Sequence, residues 1–447
     1  MVAGGVRRTA MISLSDLDDV EIRDAKKGQF FLTDPHRSVA NNSAVYETKP
    51  TNAELMDEWV ALMKSGTGER GIFNRGSLEK TMPDRRLKFL QKKHGKKNGF
   101  IGQVGTNPCV PADTWVTTAD GARQVRDLIN VPFLALVNGK EYESKKGFFE
   151  TGTKDVYEIK TKDGFTVRAT ENHQVLTVSY KTRKVQKNAW KRIDELSIGD
   201  SLVLHDHKHS VWKGAGTDTE GWLLGSLLGD GNIEKEGKAN LDYWGDNRGN
   251  MMTLAASRVH ETVGGRSDLR GHLSRTGYAR VGSVALGTYA ASYGMTYGHK
   301  IVTDDIERAS SSFYEGFLRG WFDADGSIQG TQKKGVSIRL ASSTRENLVR
   351  AQRMLARLGI IASLYENRRI AGWRMLPDGK GGQKSYWCEA QHELIIANDN
   401  MQTFSRRIGF ADTAKKERLV HALGAYMRVQ NSEAFSSPVV GISLVGA

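Results

Sequence analysis

The chain contains little cysteine: only Cys109 and Cys388 occur in its 447 residues, and they stand far apart. A disulfide-stapled secreted fold needs more thiols than this, so that class is excluded. We expect both cysteines to be reduced, each serving as a core filler or as a nucleophile. Cys388 alternates with aromatic residues in a strand-like stretch, and we expect it to be buried and inert.

Long apolar runs are also missing. No stretch approaches the roughly 20 apolar residues of a membrane-spanning helix, and no apolar leader opens the chain. We therefore expect a soluble, cytoplasmic protein.

Acidic residues are fewer than basic ones, 51 against 64, for a net charge of +13. This balance favours a polyanionic partner, because Lys and Arg that neutralise phosphates release counterions; the alternative is a merely basic soluble surface.

The length suggests about three domains. The first, residues 1–108, contains "DPHRSVANNSAVYETKP" and "LMDEWVALMKSGTGERGIFNR" and ends at Asn-Pro before Cys109. Nearly all of it resembles the middle of the catalytic barrel of an adenosylcobalamin-dependent (class II) ribonucleotide reductase. The resemblance implies an α/β barrel fragment. Much of that barrel is missing, so we expect no nucleotide reduction, and adenosylcobalamin is expected only for the complete reductase.

Residues 109–210 alternate apolar and polar side chains around Asp-Gly turns, which predicts an antiparallel all-β unit. The opening Cys109, the spacing Thr170-x-x-His173 and the stretch "IGDSLVL" resemble the N-terminal part of the splicing (Hint) domain of inteins. The resemblance implies that Cys109 is the nucleophile that attacks the preceding carbonyl. It also implies that His173 and Thr170 activate the scissile amide.

The residue types suit that chemistry. A thiol that attacks an amide forms a thioester only if the leaving nitrogen is protonated, and a histidine with a near-neutral pKa can supply the proton. Taken singly, His173 also fits a structural histidine and Cys109 a core residue. Pro108 supplies the attacked carbonyl, and its rigid ring predicts slow activation.

Residues 431–447, ending in "SSPVVGISLVGA", resemble the start of the returning strand of the same splicing domain. The His-Asn pair and the following nucleophile that finish splicing in inteins do not occur in this stretch. We expect either that the sequence is truncated or that a separate C-terminal polypeptide completes the domain.

Residues 211–430 contain an internal repeat, "TDTEGWLLGSLLGDGNI" at 217–233 and "SSFYEGFLRGWFDADGSI" at 311–328. Capping-box patterns, Thr217-x-x-Glu220 and Ser312-x-x-Glu315, predict the start of a helix in each copy. Small residues recur every fourth position along one helical stripe. Interior glycines cost a helix about 1 kcal/mol each, so we predict that the two helices pack with their backbones in contact.

Asp230 and Asp325 stand at the ends of these two helices, each followed by a glycine. A carboxylate at a helix C-terminus opposes the helix dipole, which favours a functional reason for the repetition. If the helices lie side by side, the carboxylates meet, and hard oxygen ligands suit Mg²⁺. The alternative is a pair of ordinary Asp-Gly turns.

The two segments resemble the LAGLIDADG signature of homing endonucleases, in the monomeric, pseudo-symmetric form. The resemblance implies an α+β domain of two αββαββα repeats whose sheets straddle double-stranded DNA, with Asp230 and Asp325 as catalytic metal ligands. Lys300 falls where the family often has a catalytic lysine, and Lys415 or Lys416 are candidates in the second repeat.

A predicted hairpin after the second helix offers DNA contacts from Lys333, Lys334 and Arg339. We therefore predict an intein that carries a site-specific DNA endonuclease and lies within a reductase. Its partner is duplex DNA at the uninterrupted host-gene junction. The rivals are a DNA-binding maturase or regulator, a splicing module with a decayed endonuclease, and a reductase proper.

Overall fold

The structure is a computed structural model that describes residues 11–15, 25–26, 32, 40–46, 49–65, 70–74, 109–182, 185–264, 270–273, 277–331, 335–377, 382–425 and 432–446. Three regions of the chain form separate sheets, in the order that the sequence predicts.

The first region is a small parallel α/β unit. Strands β1 (Met11–Ser15), β2 (Ala40–Tyr46) and β3 (Arg70–Asn74) form a parallel sheet in that order. Helix α1 (Asn52–Ser65) connects β2 to β3 and begins at a capping box in which Thr51 and Glu54 exchange hydrogen bonds of 2.7 and 3.3 Å. No closed barrel is present among the described residues, and the barrel fragment stays a prediction.

The second region is all β, as the alternation predicts. Its strands are β4 (Trp115–Thr118), β5 (Gly121–Gln124), β6 (Phe133–Val137), β7 (Lys140–Ser144), β8 (Val156–Thr161), β9 (Thr166–Ala169), β10 (Gln174–Lys181), β11 (Gln186–Arg192) and β12 (Ser201–Val203). They form a four-stranded sheet, β5-β4-β6-β7, and most of a six-stranded sheet, β11-β10-β12-β23-β8-β9.

The strand β23 (Ser436–Gly446), near the other end of the chain, completes the six-stranded sheet. It pairs antiparallel with β12, where Leu202 faces Ser437, and with β8, where Ile159 faces Ile442. Strand β23 therefore returns to the β unit, and its membership of a splicing domain stays a prediction. A small core of Ile159, Ala169, Ile193, Leu196, Leu202 and Val439 forms behind this sheet.

The third region contains two copies of the same element order. The first copy is α2 (Asp218–Leu228), β13 (Asn232–Ile233), β14 (Ala239–Trp244), α3 (Arg248–Val263), β15 (Arg270–Leu273), β16 (Tyr278–Ser283) and α4 (Val284–Ser292). After α5 (Asp304–Glu307), the second copy is α6 (Ser311–Asp325), β17 (Gly326–Thr331), β18 (Gly335–Ser342), α7 (Arg345–Arg357), β19 (Ala362–Arg369), β22 (Gln391–Ile396) and α8 (Asn400–Arg407), followed by α9 (Thr413–Gly424). The predicted αββαββα order is confirmed.

The second copy differs from the first by an extra hairpin between β19 and β22. Its strands β20 (Gly372–Pro377) and β21 (Gln383–Cys388) pair with Trp373 opposite Trp387, and the ring centroids lie 5.8 Å apart. Both tryptophans are exposed, at 70% and 52% of their surface. Cys388, at the end of β21, is half-buried, so the expectation of a buried thiol is wrong. The cause is that its hairpin projects from the domain.

The helices α2 and α6 pack with their backbones in contact. A methyl group on Gly221 would lie 2.2 Å from the backbone oxygen of Phe313, and one on Gly320 would lie 2.2 Å from that of Trp222. Distances this short leave room only for hydrogen. The glycine stripe therefore allows the predicted backbone contact, and the close approach of the buried faces of the two helices offsets the lost helix propensity.

The two helices begin differently. Thr217 caps α2 through the expected capping box with Glu220. In α6 the cap is Ser310, whose Oγ accepts from the amide of Phe313 at 3.1 Å, and the predicted box at Ser312 is wrong. Glu315 instead pairs with Arg407 of α8 at 2.8 Å. Glu315 therefore forms a tertiary ion pair instead of the hydrogen bond at the cap that the local pattern predicted.

Asp163, in the turn between β8 and β9, joins the β unit to the repeat region. Its carboxylate accepts hydrogen bonds of 2.7 Å from Ser363 in β19 and from Ser437 in β23. One turn therefore contacts both the second repeat and the returning strand. Within the described residues, no helix is long and apolar enough to span a bilayer.

Candidate functional site

The two repeated carboxylates lie at the same end of the α2–α6 helix pair. Asp230 stands just beyond the C-cap of α2, Gly229, and Asp325 is the last residue of α6. A methyl group on Gly229 would lie 2.4 Å from Cβ of Ala324 and 3.5 Å from Oδ2 of Asp325, so the helix ends touch. Both aspartates remain exposed, which leaves their free oxygens accessible.

The pKa values of both carboxyls are raised. For Asp230 the largest cause is partial burial, and the negative charge of Asp325 adds to it, while Lys415 and Lys300 oppose the shift. For Asp325 burial again dominates, opposed first by the hydrogen bond from Nε1 of Trp321 at 3.0 Å. Keeping both groups ionised therefore costs free energy that a bound cation would recover.

A lysine lies at each helix end. Nζ of Lys300 donates to the backbone oxygens of Gly229 and Gly231 at 3.1 and 2.6 Å. Nζ of Lys415 donates to the backbone oxygens of residues 322–324 at 2.5 to 3.2 Å. Burial lowers the pKa of each lysine, and nearby carboxylates partly restore it. Of the two second-repeat candidates, Lys415 faces the carboxylates, whereas Lys416 is exposed.

A third carboxylate approaches the site from the sheet. Asp242 on β14 raises the pKa of Asp230 and that of Lys300 through its charge. It forms a two-point ion pair with Arg280 on the neighbouring strand β16, with N to O distances of 2.6 and 2.8 Å. Sequence reasoning missed this pair, because the contact depends on the register between two strands.

Asp323, two residues before Asp325, is a buried carboxylate that accepts hydrogen bonds from within the protein. It accepts from Nε1 of Trp222 at 2.8 Å and from the amides of Ala411 and Asp412 at 3.0 and 3.1 Å. Burial raises its pKa to about 6, against these hydrogen bonds. These contacts tie α6 to the segment that carries Lys415, so Asp323 helps to position that lysine.

Of the candidate DNA-binding residues, only Arg339 is among the described residues. Arg339 lies on β18 and pairs with Glu393 on β22 at 3.2 Å, so the structure holds its guanidinium across the sheet. Lys333 and Lys334 lie outside the described residues. In the first repeat, Trp244 and Tyr278 meet on the face of the sheet that carries Arg280, with ring centroids 5.5 Å apart. Aromatic and basic side chains thus share one face of the first-repeat sheet.

A second cluster forms around Cys109. The amide of Cys109 donates to Oγ1 of Thr170 at 3.3 Å, and the amide of Thr170 donates to the carbonyl of Cys109 at 3.1 Å. Thr170 Oγ1 also donates to Oδ1 of Asn172 at 2.7 Å. These bonds hold the β9–β10 turn against the cysteine.

His173 belongs to the same cluster, and its ring hydrogen-bonds to the backbone of Cys109. Burial lowers the pKa of His173, which that hydrogen bond opposes. Its other side-chain nitrogen, Nδ1, is buried without a hydrogen-bond partner. The structure therefore brings Cys109, Thr170 and His173 together, as the sequence predicts.

Two further groups contact the sulfur itself. Thr151 Oγ1 and Lys154 Nζ each lie 3.1 Å from Sγ of Cys109 and donate to it. Both residues belong to the loop before β8, and no motif in the sequence pointed to them. A long loop of mixed composition carries no periodic signal, which is why sequence reasoning missed these contacts.

Comparison with known proteins identifies part of the chain. The family model described as a LAGLIDADG-like domain matches residues 312–409, which include α6 and the second repeat. The chain therefore contains a LAGLIDADG-like domain, and the structure repeats its element order in residues 218–292. A variant of the homing endonuclease I-DmoI aligns with a TM-score of 0.31 and 17% identity, covering 46% of this chain and 97% of that one.

Two kinds of curated protein are similar to most of the chain. The ribonucleoside-diphosphate reductase NrdEB subunit alpha of Bacillus subtilis (strain 168) is 24% identical over 400 residues, covering 83% of this chain and 35% of that protein. The replicative DNA helicase DnaB of Nostoc sp. is 26% identical over 333 residues, covering 70% and 35%. The chain thus spans about a third of the length of these relatives.

Proposed function

We propose that residues 211–430 are a site-specific endonuclease that cuts both strands of DNA. The observation that carries the proposal is the meeting of two exposed carboxylates, Asp230 and Asp325, at the end of a helix pair with a lysine beside each. A double-strand cut involves two scissile phosphates, and the pseudo-symmetric repeats place one carboxylate and one lysine on each side of the site.

The residues suit magnesium. Two exposed carboxylates leave the remaining coordination positions to water and to phosphate oxygens, which is how Mg²⁺ is usually bound. When bound, Mg²⁺ supplies water activation and stabilisation of the leaving oxygen. Asp230 and Asp325 would hold the cation, and Lys300 and Lys415 would place positive charge beside the phosphate and orient water. Asp242 adds negative charge near Lys300, and Arg280, which is held by Asp242, adds a contact to the DNA backbone.

The proposed target is the duplex that encodes the uninterrupted Asn-Pro-Cys junction. A supercoiled plasmid with this junction should be linearised in Mg²⁺ and left intact in chelator. A plasmid in which the element already separates the two half-sites should resist cutting. Binding to the junction without any linearisation would instead favour the rival regulator or decayed endonuclease.

We propose a second function, thioester-forming self-processing at Cys109, on the strength of the cluster with Thr170 and His173. Most of this chain is similar to two proteins of different function, a reductase and a helicase, which also supports an inserted element. In this intein-like, Hint-type unit, Thr170 orients the amide and His173 protonates its nitrogen as Cys109 attacks. Adenosylcobalamin takes no part in this step, and a cytoplasmic location stays a prediction.

The test is thiol-induced release of residues 1–108. Wild-type protein incubated with a small thiol should slowly release that segment, measured by mass spectrometry. Cys109→Ala should abolish the release, and His173→Ala should reduce it by about a hundredfold or more, the usual contribution of a positioned general acid. Equal release from Cys109→Ala would refute the assignment of the nucleophile.

A further inference from the structure

The strongest unassigned contacts in the molecule are the two donors on the sulfur of Cys109. Lys154 Nζ and Thr151 Oγ1 both approach Sγ to 3.1 Å, and both side chains are half-buried. Neither contact follows from the Thr-x-x-His pattern. Two donors aimed at one sulfur, one of them an ammonium group, form a site that suits a thiolate better than a thiol.

The loop that carries the two donors is held at both ends. Phe148 stacks on Phe133 with ring centroids 5.6 Å apart, and its amide donates to the carbonyl of Leu128 at 2.9 Å. At the other end, β8 pairs with β9 in the six-stranded sheet, where Tyr157 faces Ala169. The donors therefore approach Sγ of Cys109 from an anchored loop, whereas Thr170 and His173 contact its backbone.

We propose that Lys154 and Thr151 are catalytic residues that stabilise the Cys109 thiolate and so set its reactivity. This deepens the proposed self-processing and rests on it. In this proposal, Lys154 and Thr151 stabilise the thiolate of Cys109, whereas Thr170 and His173 activate the scissile amide. A thiolate is the nucleophilic form of cysteine, and a neighbouring lysine favours that form.

The covalent step balances with these groups. The thiol proton first leaves to solvent, and the thiolate forms an ion pair with the Lys154 ammonium. Sγ then attacks the carbonyl carbon of residue 108, and the bond from that carbon to the nitrogen of Cys109 breaks. The nitrogen takes a proton from protonated His173, which solvent reprotonates. The products are a thioester on Sγ and a free amine on Cys109.

The chain offers an internal reference for the test, because its only other thiol, Cys388, lies in the β20–β21 hairpin of the repeat region. Intact protein is treated briefly with iodoacetamide at fixed pH, and mass spectrometry measures the label on each cysteine. Lys154→Met should slow alkylation of Cys109 while leaving Cys388 unchanged. Lys154→Arg, which keeps the charge, should retain most of the rate.

The expected loss is about threefold to tenfold. Removing the charge lowers the thiolate fraction, but a less stabilised thiolate is intrinsically more nucleophilic, and this offsets about half of the effect on a logarithmic scale. Thr151→Val, which removes only the hydroxyl, should show a smaller loss. The matched control is Lys160→Met, because Lys160 is an exposed lysine of the same β unit that pairs with Glu158 at 3.2 Å.

A parallel assay of thiol-induced release separates the two proposals. If alkylation and release both fall in Lys154→Met, the assignment of Lys154 stands. If alkylation falls but wild-type protein releases nothing, Lys154 stabilises the thiolate and the self-processing function is wrong. If alkylation is unchanged while the thermal midpoint is also unchanged, the thiolate role of Lys154 is overturned, whatever happens to release.

Discussion

Lys415 makes at the end of α6 the contact that Lys300 makes at the end of α2. Each ammonium donates to backbone carbonyls at a helix C-terminus, Lys300 at 2.6 Å to Gly231 and Lys415 at 2.5 Å to Asp323. The pseudo-symmetry of the repeats thus extends from the helices and carboxylates to the cations. One lysine in each repeat is the arrangement that the proposed double-strand cut requires.

Removing either lysine should slow cleavage of the junction plasmid. We expect Lys300→Met and Lys415→Met each to reduce linearisation by about tenfold to a hundredfold, since electrostatic groups at the reacting phosphate contribute on that order. Nicked circles should accumulate, because one centre keeps its lysine. Gel electrophoresis over a time course measures both products.

The control for this experiment is the adjacent Lys416→Met, because Lys416 is exposed and is not among the charges that shift the pKa values of the two carboxyls. It should cut at the wild-type rate. If Lys416→Met were as impaired as Lys415→Met, the equivalence of Lys415 and Lys300 would be wrong.

Both aspartates should be essential for cutting and dispensable for docking. Asp230→Asn and Asp325→Asn should each reduce Mg²⁺-dependent linearisation by a hundredfold or more, on the order of the effect of removing one electrostatic group at a reacting centre, and keep binding to the junction duplex. Asp246→Asn, a change at an exposed aspartate of the same repeat, is the matched control. Full cutting by Asp325→Asn would locate the metal centre elsewhere.

The charge at the helix ends should also affect stability. The folded pKa values of Asp230 and Asp325 are raised, so the protonated carboxyls stabilise the folded state. This stabilisation is complete below pH of about 4, the unfolded pKa, and it is lost as the pH rises through the folded pKa. In chelator at neutral pH, Asp325→Asn should therefore melt slightly higher than wild type. Water screens part of the repulsion at these exposed groups.

The measurement is the thermal midpoint from pH 3.5 to 8, with and without Mg²⁺. The advantage of Asp325→Asn should disappear at acid pH and should reverse in Mg²⁺, which stabilises only the form with both carboxylates. An advantage that persists unchanged at pH 3.5 would show that the effect is not electrostatic.

The glycine stripe gives a test with opposite signs. A methyl group on Gly225 would lie 1.9 Å from the backbone oxygen of Phe317, so Gly225→Ala should push the helices apart and cost about 2 kcal/mol or more. Gly249 lies in α3 with nothing within 4 Å of the added carbon, so Gly249→Ala should gain about 0.5 to 1 kcal/mol. Chemical denaturation of both variants decides whether close packing explains the glycines.

DNA binding should depend on salt and on the hairpin lysines. The double change of Lys333 and Lys334 to Gln should weaken binding to the junction and to random duplex alike, and should lower the slope of log affinity against log salt by about two. The control changes Lys145 and Lys146, two exposed neighbours in the β unit, to Gln. It removes the same total charge as the test variant and should have no effect on binding. Binding titrations at several salt concentrations measure the slopes.

Local patterns in the sequence were enough to predict several elements of the fold and of both sites. The spacing of Gly221 and Gly225 in one helix and of Gly316 and Gly320 in the other predicted the contact that the structure shows. The meeting of Thr170 and His173 with Cys109 was implied by the resemblance to inteins that the Thr-x-x-His motif carries. Such signals lie within a few residues, because helix and strand geometry repeats over that distance.

Contacts between distant segments were decided only by the tertiary structure. The choice of Lys415 over Lys416 depends on the angle at which α9 meets α6, and the extra β20–β21 hairpin hides the equivalence with Lys300 from any simple alignment of the repeats. Lys154 reaches Cys109 because the six-stranded sheet brings the loop before β8 to the start of the unit. No periodicity encodes these distances; they follow from how the sheets and helices pack.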